Sequence, residues 1–163
     1  MRRFVVALLL PVVWIGANAT SVPGQITPEQ VRAAIDRGIA FLKSQQRPDG
    51  SWTELRGQAG GVTSLATLAL LSAGVAPDDE HLQRALRCLE RFSKPEATYA
   101  TALRTMVFCR ANPKQYLAQI DVNVRWLESQ QIASGPNKGA WSYGSAQQGS
   151  GDNSNSQFAL LAL

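Results

Sequence analysis

Asp78, Asp79, Glu80 and His81 stand side by side in the stretch PDDEH. Carboxylates next to an imidazole could act as general acid and base. The same residues open a helix, where negative side chains meet free N–H groups and the positive end of the helix dipole, and capping is the role expected of them. Metal chemistry would need clustered ligands. One histidine, with Cys88 and Cys109 at no ligand spacing, makes no such set, so neither a metal nor another cofactor is expected. A third group lies in the Gly/Ser/Gln/Asn-rich stretch GAWSYGSAQQGSGDNSNSQ, where Trp141, Tyr143, Asp152, Asn153, Asn155 and Gln157 gather near a helix start. Asp and Asn side chains at such a place could hold a polar or anionic group of an unknown ligand. They could equally cap the helix.

The elements that position these residues follow from hydrophobic periodicity. Thr27-Pro28-Glu29-Gln30 has the form of a helix start with a capping box, and Val31, Ile35, Gly38 and Leu42 then form one stripe. After a polar loop from 45 to 60, Val62 to Ala73 is apolar nearly all round, which predicts a helix buried on most sides and ended by Gly74. The alternation recurs. A third helix, capped by Asp78 or Asp79, carries Leu82, Leu86, Leu89 and Phe92; a fourth, more apolar, spans Ala97 to Ala111. A fifth carries Leu117, Ile120, Val124 and Leu127, and a sixth begins at Ser156. The pattern predicts an all-α chain of three antiparallel hairpins, each an amphipathic outer helix followed by a buried inner one. Ser64, Thr101 and Ser154 fall at matching places in the inner helices, where small hydroxyls permit close helix approach. The turn near Pro95 sets Cys88 and Cys109 at depths differing by roughly 10 Å at ~1.5 Å per residue, too far for a disulfide, so two free thiols are expected.

The N-terminus has another logic. Arg2 and Arg3, an apolar run from Phe4 to Ile15 and small residues at Ala17-Asn18-Ala19 have the layout of a secretory leader over residues 1–19. A linker over 20–27 would follow, and the mature protein would be exported to the periplasm or cell exterior. The apolar run is short of the ~20 residues that span a bilayer, so no stable membrane span is expected after cleavage. The formal charge of +4 falls to +2 once Arg2 and Arg3 are removed, and the basic residues form no stripe. A nucleic-acid partner is not expected.

One pattern is written twice. Arg37, Gly38, Phe41, Leu42, Gln46, Gly50 and Trp52 have a looser echo in Trp126, Leu127, Gln131, Gly139 and Trp141, which lacks the leading Arg-Gly and carries four extra residues before its glycine. The first copy resembles the Gln-Trp repeat of the squalene cyclase and prenyltransferase superfamily at every specified position, and the likeness extends over roughly residues 28 to 163. The resemblance implies an α/α toroid in which inner helices line a central cavity. In such a repeat the glutamine can bond free N–H groups at the start of the next helix, and the tryptophan can brace neighbouring hairpins. A full ring in this family takes about six hairpins. The three here imply a partial ring completed by the rest of the chain beyond Leu163, and otherwise an exposed apolar end that would drive association.

The catalytic signatures of that superfamily do not occur here. There is no Asp-x-Asp-Asp proton donor, no Asp/Cys/His zinc set and no Cys-Gly-Glu-Gln thioester. The carboxylates fall at caps, in loops or on outer-helix faces, with Asp152 at the mouth of the implied cavity. The long connections, 45–60 and 132–151, would lie at one end of the ring, where loops on a rigid scaffold commonly bind. Two readings remain open: a non-catalytic binding or scaffold module, or the front half of a terpene cyclase or prenyltransferase type of enzyme whose catalytic residues follow Leu163.

Overall fold

The computed structural model describes residues 26–92, 94–143 and 150–163. The expected leader over 1–19 and most of the linker lie outside this range. Six helices follow in order: α1 (Pro28–Ser44), α2 (Gly61–Ser72), α3 (Glu80–Glu90), α4 (Thr98–Ala111), α5 (Leu117–Ser129) and α6 (Asn153–Ala162). Among the described residues there is no β-strand, only an isolated bridge between Trp141 and Asp152. None of these helices is long and apolar enough to cross a membrane.

Local chemistry accounts for the helix starts. Thr27 and Gln30 exchange the two bonds of a capping box at α1. Asp79 rather than Asp78 caps α3 by accepting from the His81 N–H. Asp152 caps α6, which therefore starts at Asn153, three residues before the start expected from the apolar pattern. Of the expected stripe on α1 only Leu42 packs on the core; Val31, Ile35 and Gly38 stay exposed, Ile39 outside the stripe packs beside Leu42, and no α1 residue is fully buried.

The even-numbered helices pack in sequence, α2 on α4 and α4 on α6. Each of the middle odd-numbered helices lies on the preceding even one, α3 on α2 and α5 on α4. Leu82, Ala85, Leu86 and Leu89 of α3 meet Leu70, Val107, Phe108 and Trp52 in the larger core. A smaller core joins Ala102, Leu127, Trp141 and Ala159. Small side chains line the α2–α4 contact, where Ser64 and Thr101, each the fourth residue of its helix, are both buried. Ser154 in the first turn of α6 is half-buried. Cys88 is buried and Cys109 exposed, both as free thiols.

Candidate functional site

The two Gln–Gly–Trp units are built alike. Trp52 donates its indole N–H to Leu42 O at 3.0 Å, and Trp141 donates to Leu127 O at 2.7 Å. Each ring thereby closes the loop onto the last turn of its own preceding helix. The Trp52 backbone N–H reaches the Thr63 hydroxyl at 3.1 Å, and that of Trp141 reaches Ser156 at 2.9 Å. Gln46 and Gln131 each donate to the carbonyl of their turn glycine, Gly50 and Gly139, at 3.1 and 3.0 Å. The expectation that this glutamine serves helix-start N–H groups is corrected here: Gln46 also donates to His81 O at 2.9 Å and accepts from Arg84. Helix-start N–H groups need an acceptor, and the one amide oxygen of Gln46 is taken by Arg84 and His81 of α3. The α2 N–H groups go to Glu54, whose carboxylate accepts from Val62 N at 2.9 Å and Thr63 N at 3.1 Å. From sequence alone Glu54 reads as a loop residue, because its partners lie eight and nine positions away.

Neighbours differ between the copies. Gly50 is buried against α3, whereas Gly139 and Gln131 are exposed. Phe41 is exposed and its counterpart Trp126 is half-buried in the smaller core. Arg37 and Gly38 lie exposed on α1.

Three connections meet at one end of the molecule. Thr98 at the start of α4 donates its hydroxyl to Ser142 O at 2.7 Å, and the Tyr99 ring lies 5.7 Å from Tyr143 and 4.9 Å from Phe158. The candidate binding residues divide here. Trp141 is buried in the core. Asp152 Oδ1 accepts from Ser154 Oγ at 2.6 Å, Asn155 N at 2.7 Å and Asn155 Nδ2 at 2.9 Å. The Ser154 bond and then the Asn155 bonds hold this carboxyl below its usual range. Asn155 is fully buried, with Oδ1 unpartnered among the described residues, while Asn153 and Gln157 are exposed. Tyr143 alone faces a cavity.

That cavity is an apolar groove of about 290 Å³ between the first connection, α2, α4 and Tyr143. Leu55, Leu65, Tyr99, Leu103 and Tyr143 supply most of its wall, with Gln58 at one side. Leu55, Leu65 and Tyr143 are exposed along it. Sequence reasoning did not single out Leu55, Leu65, Tyr99 or Leu103. The available signal was the i, i+4 pair Tyr99–Leu103 on one face of α4. Among the described residues no Asp, Glu, His or Cys lines this groove, and no group of three such side chains could hold a metal ion. The arrangement can take an apolar group and orient it by aromatic contact, with the Gln58 amide as a polar neighbour.

Comparison of the chain with protein-family models, with curated proteins and with solved structures returned no match.

Proposed function

We propose that this chain is an exported α/α-toroid repeat module, related in design to the squalene cyclase and prenyltransferase superfamily, that works by binding rather than by catalysis. The carrying observation is the apolar groove at the end where the three connections meet, walled by leucine and tyrosine and, among the described residues, free of acidic, basic and thiol side chains. Its ligand class is an apolar molecule or an apolar segment of a partner. The matching hydrogen bonds of Trp52 and Trp141 support a repeated hairpin with the even-numbered helices as the inner layer. Leu160 and Leu161 of α6 are 65% and 63% exposed, and in this reading they form a repeat face open to an apolar neighbour.

The test uses the secreted chain, whose N-terminus by mass spectrometry should lie near Thr20. Titration with farnesol and with squalene should give saturable binding that Tyr143→Ala and Leu65→Asp each weaken. Incubation with squalene or a prenyl diphosphate should leave substrate unchanged. Product formation that disappears in Asp152→Asn would overturn the binding reading in favour of the enzyme.

A further inference from the structure

Arg104 is the sole charged side chain buried in the interior among the described residues, at 3% exposure. Its guanidinium carries five N–H donors. One of them goes to Asn123 Oδ1 at 3.0 Å, and no carboxylate among the described residues is within ion-pair distance. Burial lowers its pKa to about 10, with Glu96 pulling the other way, so the group is charged at neutral pH. A buried charge without a direct ion pair is costly, and such groups are normally paired.

The surroundings of Arg104 suit an anion. Ala97 at the N-cap and Ala100, Thr101 and Arg104 of α4 fall on one face and line a cleft of about 180 Å³ together with Arg91 and Lys94. Thr101 is 1% exposed, and its hydroxyl has no hydrogen-bond partner among the described residues. No side chain caps the start of α4 at Ala97, and Ala97 and Ala100, at the positive end of the helix dipole, line the cleft. Glu96 is the one carboxylate in the lining, against three cations. The volume is well below the ~300 Å³ at which sites for drug-sized ligands begin.

We propose that this cleft binds a small oxyanion of the phosphate or sulfate class. Arg104 and the Thr101 hydroxyl hold it from below, the first turn of α4 donates from the side, and Lys94 and Arg91 close the rim. This site is separate from the apolar groove and does not rest on the function proposed above. Titration calorimetry at constant ionic strength, with inorganic phosphate, sulfate and glycerol phosphate as probes, tests it on the whole chain. Phosphate or sulfate should bind saturably in the millimolar range or tighter, and the melting temperature should rise with the same concentration dependence. Stronger binding of inorganic phosphate marks the free ion as the source, stronger glycerol phosphate marks an ester, and either order upholds the site. Thr101→Val removes a hydroxyl that has no partner in the protein, so the unliganded variant should melt no lower than wild type yet bind about tenfold more weakly. Lys94→Gln should also weaken binding, and Lys114→Gln should not. Absence of saturable binding by wild type, or equal binding by wild type and Thr101→Val, would overturn the proposal.

Discussion

The backbone of Gly50 lies directly against the carbonyl of Arg84, with no space between them for a side chain. A Cβ on Gly50 would overlap that carbonyl and stand 3.1 Å from Ala85 N, and its φ of +88° lies in the left-handed region. This contact presses the first Gln–Gly–Trp turn onto α3. Gly139 has a similar φ of +89° but nothing within 4 Å of the Cβ position. Left-handed backbone costs a non-glycine residue ~1–2 kcal/mol, and overlap with fixed backbone adds ~1–3 kcal/mol. Gly50→Ala should therefore lower stability by about 3 kcal/mol and Gly139→Ala by about 1 kcal/mol in urea unfolding. Equal losses would show that the close approach to α3 carries no energy.

Glu54 does for α2 what a neighbouring Ser or Asp does for other helices, across a loop. Replacing it by alanine should cost about 1–2 kcal/mol, the range of a strong N-cap. Glu54→Gln keeps one acceptor and should lose less. Amide exchange at Val62 and Thr63 should accelerate in both variants, while exchange in α5 should not change.

Asp79 offers a pH test. Its hydrogen bond to Lys43, at 2.7 Å, is the largest influence and holds the carboxyl below the ordinary 3.8; burial opposes it, and the His81 N–H adds a smaller lowering effect. Asp49 is lowered by Ser51 and Asp152 by Ser154 and Asn155. A carboxyl depressed on folding contributes stability that is fully present above its unfolded pKa. That stability is lost as pH falls through the folded value. The melting temperature should thus stay level from neutral pH down to about 5 and decline below about 4. Asp79→Asn should start lower at pH 7 and decline less steeply, as followed by circular dichroism.

The thiols should titrate unequally. Cys109 on α4 is largely exposed and Cys88 is buried on the inner face of α3, and desolvation raises the pKa of both. A thiol reagent at pH 8 should modify Cys109 slowly and Cys88 only after denaturation, giving two thiols in total without reductant. A total of zero in a monomeric sample would contradict the free-thiol state.

What sequence alone determined about this protein is local and periodic. The all-helical class, the six helices and the two Gln–Gly–Trp units were legible, because an amphipathic stripe, a capping residue and a turn glycine act over a few residues and leave a readable spacing. Tertiary structure alone decided which residues meet across the connections. Glu54 reached the start of α2, Gln46 turned to the His81 carbonyl of α3, Gly50 was buried while Gly139 was not, and Tyr99 and Tyr143 came together beside Leu65. Arg104 appears in sequence as one more basic residue of a helix, and only the packing of α4 beside α3 and α5 removes it from water. The physical reason is range: helix propensity and capping are settled by neighbours in the chain, whereas burial and hydrogen-bond partnership depend on which surfaces the packed helices bring together.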